Sequence, residues 1–100
     1  MPIDRNATLK SAEKLLRQGN LDAAIAEYER LIADQPKDWT SINALGDLYA
    51  RAGQTDQAVA QFARVANHLL KEGSRPKAAA VLKKIVRIKP GEPEIGRAHV

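Results

Sequence analysis

Residues Trp39–Phe62 read WTSINALGDLYARAGQTDQAVAQF. Ile42, Leu45, Gly46 and Tyr49 recur at spacings of three and four, which puts them on one face of a helix. Ala52-Gly53-Gln54-Thr55-Asp56 then stops that helix and starts another. Gly53 is free to take the left-handed conformation that ends a helix, and Thr55 is the expected cap of the next. The second helix turns Ala58, Val59, Phe62 and Val65 back toward the first. Gly46 and Ala58 are small where two backbones have to approach closely. This is a helix–turn–helix hairpin whose apolar face is too wide for its own two helices to cover, so it needs neighbours.

The chain supplies them by repetition. Gly19 and Gly53 are 34 residues apart, and the same interval separates Ala12 from Gly46, Ala24 from Ala58, Tyr28 from Phe62 and Leu31 from Val65. The first unit runs from about Arg5 to Pro36. Its opening helix is a rather polar version of the Trp39 helix, with Thr8, Ser11, Ala12 and Leu15 expected to face inward. A terminal repeat with one side in water has this character. Its second helix is predicted over 21–34, capped by Asn20, with Asp22 in the first turn and Ala24, Ile25, Tyr28, Leu31 and Ile32 as the apolar stripe. Pro36 ends it.

This arrangement resembles the tetratricopeptide repeat. The marks of that family stand here as Leu45-Gly46, Tyr49, Gly53, Ala58 and Phe62, and again as Ala12, Leu15, Gly19, Ala24, Tyr28, Leu31 and Pro36. The resemblance covers residues 5–90. A third unit carries Val65-Ala66, Leu69, Gly73, Ala78, Leu82, Ile85 and Pro90, but its Gly73 follows Gly53 by only 20 residues. The simplest account is one long helix, 55–72, that closes the second unit and opens the third. Ser74 is the expected cap of the last helix, and Pro76 is tolerated in its first turn. The expected fold is therefore all-α, an α-solenoid of about five antiparallel helices in two and a half repeats, with a shared fourth helix. The repeat domain spans 1–93, with overlapping units at about 5–38, 39–72 and 59–92. The remaining residues, 94–100, end in IGRAHV, which back-translates to a common sequencing adapter. They are expected to be read-through that replaces a longer natural chain from about Pro93.

The formal charge of +4 is local. Residues 1–70 carry eight basic and nine acidic side chains, whereas residues 71–89 carry seven basic and one acidic. No cysteine is present, so neither disulfides nor thiolate metal sites are available. The start, MPIDRNATLK, has no apolar run fit for a signal peptide, and a cytoplasmic location is expected. The glycines punctuate helices and never cluster into a phosphate loop. His68 has no second ligand at metal-site spacing, and Ser11, Ser41 and Ser74 lack a nucleophile elbow or a neighbouring base. No enzyme activity, metal or cofactor is expected. Trp39 reads as a packing residue at a repeat junction.

The resemblance implies a protein-interaction scaffold. In such arrays the first helices of successive units line a concave surface for extended or helical peptides. The positions of those helices that do not face the core are Asn6, Leu9, Glu13 and Arg17, then Thr40, Asn43, Asp47 and Arg51, with Ala63, Asn67 and Lys71 following on the shared helix. The lysine and asparagine clamp of chaperone-binding members is not implied, because the matching places hold Leu9, Glu13 and Ala44. The basic run Lys71, Arg75, Lys77, Lys83, Lys84, Arg87 and Lys89 raises a second class of partner, nucleic acid or an anionic surface. No aromatic residue interleaves it. Its helix also carries Val81, Leu82, Ile85 and Ile88, more than one neighbour covers, so Val81 and Ile88 are expected to lie open, leaving the chain marginally stable or self-associating through its last helix.

Overall fold

The computed structural model describes residues 2–89; the tail from Pro90 onward, including the expected read-through, lies outside the described residues. Five helices follow in order: α1 (Arg5–Arg17), α2 (Leu21–Asp34), α3 (Trp39–Arg51), α4 (Thr55–Lys71) and α5 (Arg75–Ile88). There is no strand among the described residues. Each helix packs on the next, α1 on α2, α2 on α3, α3 on α4 and α4 on α5. The long α4, 17 residues, serves both as the second helix of one pair and as the first helix of another.

The turns are made the same way three times. Gly19, Gly53 and Gly73 adopt φ values of 77°, 78° and 80°. The amide after each glycine reaches back five residues: Asn20 N to Leu15 O at 2.9 Å, Gln54 N to Tyr49 O at 2.9 Å and Ser74 N to Leu69 O at 2.8 Å. This is the Schellman closure, which satisfies carbonyls that the helix end would leave without partners. It explains why the glycines recur in the sequence at the interval of 34 and then of 20.

The helix starts are less uniform. Asp4, Asn20 and Asp38 each accept a side-chain cap bond, from Ala7 N, Ala23 N and Ser41 N, all at 3.2 Å. The expected caps of α4 and α5 do not behave so. Gln54, not Thr55, occupies the cap position, and Thr55 is already inside the helix. Ser74 stands at the cap of α5, but its hydroxyl makes no cap bond. Both helices begin on backbone bonds alone, Ala58 N to Gln54 O and Ala78 N to Ser74 O. Burial of their apolar stripes holds them, which is the larger contribution for a short helix in a folded protein.

The core runs continuously through the array. Ala24, Ile25, Ile32, Ile42, Leu45, Leu48, Tyr49, Ala58, Phe62, Val65, Ala66 and Val81 form one buried cluster. Thr8 and Ala12 are buried on α1 as expected, whereas Ser11 is exposed, because α1 has a neighbour on one side only. On α5 the expectation is reversed. Val81 is buried and Ile88 is packed against the core, since α4 covers that side. Among the described residues the large apolar side chains left in water are Leu82 (42%) and Val86 (63%) on α5 and Leu70 (49%) on α4.

The tightest approach in the core is between α3 and α4. Phe62 is buried to 1% exposure, and a Cβ at Gly46 would lie 2.5 Å from its Cε1 and 2.8 Å from its Cδ1. The ring is fixed by its surroundings, so it cannot turn away cheaply. Gly46→Ala is expected to destabilise the protein by about 1–3 kcal/mol, overpacking outweighing the better helix propensity of alanine. Urea unfolding at pH 7 reads this as a lower midpoint with an unchanged slope; a raised midpoint would refute the close packing.

Candidate functional site

Two stretches of surface bring the expected groove residues together. The first is a trough between α3 and α5, floored by α4. Near the starts of α3 and α5 it is lined by Trp39, Thr40, Asn43, Val65, Leu69, Lys77, Ala80 and Val81. Toward their ends it is lined by Asp47, Ala50, Phe62, Lys84, Arg87 and Ile88. Thr40 and Lys77 line one end and the Asp47–Lys84 pair the other, so α3 and α5 run side by side in the same direction. The second is a depression on α1 and α2, lined by Asn6, Leu9, Lys10, Glu13, Leu16 and Tyr28.

Lys84 stitches the trough. Its ammonium donates to Asp47 Oδ1 at 3.1 Å and to Asn43 Oδ1 at 3.3 Å, and it lies 5.0 Å from the centroid of the Phe62 ring. The contact joins α5 to α3 across α4. A cation held against an aromatic face and a carboxylate gains from both, to the order of 1 kcal/mol each at a half-exposed site. A second lysine, Lys89, donates to Asp56 at 2.8 Å and anchors the end of α5 to the start of α4. That bond, then the charge of Lys89, draws the Asp56 carboxyl below its ordinary value.

Trp39 closes the other end. Its ring stacks on His68 of α4 with centroids 4.2 Å apart and planes 13° from parallel, and His68 in turn lies 3.3 Å from Glu72. Trp39 therefore packs at the junction, as its sequence position implies, while its remaining surface lines the trough. In the first unit the corresponding tie is ionic. Arg5 Nε donates to Asp38 Oδ2 at 2.6 Å, fastening α1 to the start of α3. Burial raises the Asp38 carboxyl, but the Arg5 hydrogen bond, the Ser41 bonds and the Arg5 charge outweigh it and leave it below the ordinary value of 3.8. On α3, Tyr49 donates to Glu29 of α2 at 2.5 Å; burial, then that bond and its charge, push the Tyr49 hydroxyl up to about 12.

The other expected groove residues lie outside both surfaces. Arg17 is exposed and sits 3.7 Å from Glu13 in a loose pair. Arg51, Ala63, Asn67 and Lys71 are exposed and line neither the trough nor the depression. Conversely, Lys77, Lys84, Val65 and Leu69 of the trough were not among the expected groove residues. The one hint of Lys84 is its position, three residues after Val81 and four before Ile88, beside an apolar stripe.

With this geometry in place the comparison with known families is direct. The tetratricopeptide repeat family model matches residues 9–68, more than half of the chain. The chain belongs to the tetratricopeptide repeat family. No curated protein and no solved structure matches it. Tetratricopeptide repeats generally mediate protein–protein interaction. No helix among the described residues is long and apolar enough to cross a membrane.

The Asp38 site yields a pH prediction. Its carboxyl is lowered in the folded protein, so the stability it contributes is present above the unfolded value and is lost as pH falls through the folded one. Asp38→Ala is expected to cost about 0.5–2 kcal/mol at pH 7 through the lost cap alone. Urea titrations at pH 7 and at pH values below 3.8 should show the gap between wild type and variant narrowing in acid. A gap independent of pH would mean that the Arg5–Asp38 contact carries no stability.

Proposed function

We propose that this tetratricopeptide repeat chain is a non-catalytic scaffold that binds a peptide or partner helix on the face formed by α1 and α3. Asn6, Leu9, Glu13, Thr40, Asn43 and Asp47 are its central contacts. The observation that carries the reading is the trough between α3 and α5. It has an apolar floor of Val65 and Leu69, and its walls offer Thr40, Asn43 and Lys77 as hydrogen-bonding groups. A peptide laid there buries apolar side chains on the floor and fixes its backbone on the walls, the usual division of labour in peptide recognition. Arg17, Arg51 and Lys71 lie outside both surfaces, where long charged side chains steer a partner more than they bind it, and Asn67 lies outside them too.

Binding of the basic last helix to nucleic acid or an anionic surface is the weaker reading. Of its cations, Lys84 and Lys89 are already engaged with Asp47 and Asp56. Self-association has its own observation, the exposed Leu70, Leu82 and Val86 on the α4–α5 hairpin. Sedimentation equilibrium across a hundredfold range of concentration should show a mass that rises and that Leu82→Glu returns to the monomer. A constant monomer mass would remove this reading.

For the scaffold, a random peptide library selected on the chain should return sequences whose binding shifts the amide signals of Asn43, Thr40 and Lys77. Asn43→Ala and Lys77→Ala should each weaken such a peptide by roughly fivefold, the worth of about 1 kcal/mol. The affinity should fade only slightly between low and physiological salt, whereas binding driven by phosphates collapses. Failure to select any peptide, or steep salt dependence with a preference for polyanions, would overturn the scaffold reading in favour of the basic helix.

A further inference from the structure

One position of the first helices occurs three times at the interval of 34, as Leu16 on α1, Ala50 on α3 and Lys84 on α5. Leu16 and Ala50 are both packed against the core. The third occurrence puts an ammonium where the array has twice used an apolar side chain, so the packing did not call for it. A side chain that breaks the rule of its own repeat points to function before fold. Lys84 does not turn out into water. It donates to Asn43 Oδ1 at 3.3 Å and to Asp47 Oδ1 at 3.1 Å, and it stands over the Phe62 ring at 5.0 Å. One unit earlier the same set of positions reads Leu9, Glu13, Tyr28 and Ala50, and holds no cation. α3 and α5 each pack on α4, and the Lys84–Asp47 pair bridges them across it. The groups that Lys84 holds, Asn43 and Asp47, are two of those that the scaffold reading assigns to a partner.

We propose that Lys84 is an internal latch on the trough: it occupies Asn43 and Asp47 in the free protein, and a partner binds fully only as Lys84 leaves them. The proposal rests on the scaffold reading and adds the regulation of that site. The latch is of a strength that suits displacement. A half-exposed ion pair reinforced by an aromatic face holds the closed form in the majority without locking it. A site that is competent for only part of the time binds with an affinity lowered by that fraction. A latch closed for about four-fifths of the time therefore weakens a partner by about fivefold. The latch also sorts partners. One that brings N–H donors or a cation to Asn43 and Asp47 restores the contacts that Lys84 gives up, whereas one that offers only apolar groups leaves those acceptors without a donor. Val65 and Leu69 line the other end of the trough, away from Lys84, and take a partner's first contact before the latch yields.

A random peptide library, panned on the full chain, supplies the probe, and the peptide recovered most often is titrated into the wild type, Lys84→Met and Lys84→Arg. Lys84→Met keeps an unbranched side chain over Phe62 and removes the ammonium, whereas Lys84→Arg keeps a cation. The expected result is binding tighter by roughly fivefold in Lys84→Met and close to wild type in Lys84→Arg. A second readout needs no variant. The protons of Lys84 next to the ammonium feel the ring current of Phe62 in the free wild type, and they should move to the shifts of an exposed lysine as the peptide saturates. Equal or weaker binding by Lys84→Met, or Lys84 shifts that stay in place at saturation, would show a purely structural contact and overturn the latch. Either result leaves the scaffold reading standing, because the peptide still binds and Asn43→Ala still tests it. A library that returns no peptide on any of the three chains overturns the scaffold reading and the latch together.

Discussion

The edge of the Phe62 ring against the backbone of Gly46 is the contact on which the rest of the array depends. It lets α3 and α4 approach more closely than any side chain at position 46 permits. That approach buries Phe62 almost completely and puts Ala58, Val65 and Ala66 into the same core. One face of the ring stays accessible enough to receive Lys84 of α5. A single aromatic side chain thus sits in all three helices of the second half of the molecule. Widening the α3–α4 spacing would loosen the seat of α5 as well as the hairpin itself, because interiors transmit strain rather than absorb it.

Three ties of different chemistry hold α3 to its neighbours, beside the lysine–carboxylate contacts of α5. Arg5 and Asp38 join α1 to α3 through charge, Tyr49 and Glu29 join α3 to α2 through a short hydrogen bond, and Trp39 and His68 join α3 to α4 through stacked rings. Repeat arrays are stabilised by nearest-neighbour interfaces that add along the chain. Here α3 carries a tie to each of α1, α2 and α4. The depression lies along α1 and the trough along α3, where Lys84 engages Asn43 and Asp47.

Function in this fold resides in side chains that the packing does not need. Asn43 and Asp47 are engaged by Lys84, whereas their counterparts Leu9 and Glu13 line the depression on α1 and α2. The fold serves many partners because such positions vary without disturbing the core.

The sequence by itself determined the helices, their turns and the family. The interval of 34 repeated at Gly19 and Gly53, the small residues at Ala12 and Gly46 and the shortened step to Gly73 are local facts. They follow from backbone conformation and helical periodicity, which neighbouring residues in the chain dictate. Only the tertiary structure decided where α5 lies, that Val81 is covered while Leu82 and Val86 are not, and that Lys84 is bound to Asp47 and Lys89 to Asp56. It also moved the start of α4 to Gln54 and left Ser74 without a cap bond. Such choices depend on which of several apolar flanks meets which neighbour across 40 or so residues of chain, a matter of volume and register. A helical stripe only narrows that choice. The shared α4 made it more open still, because one helix offered two faces for packing.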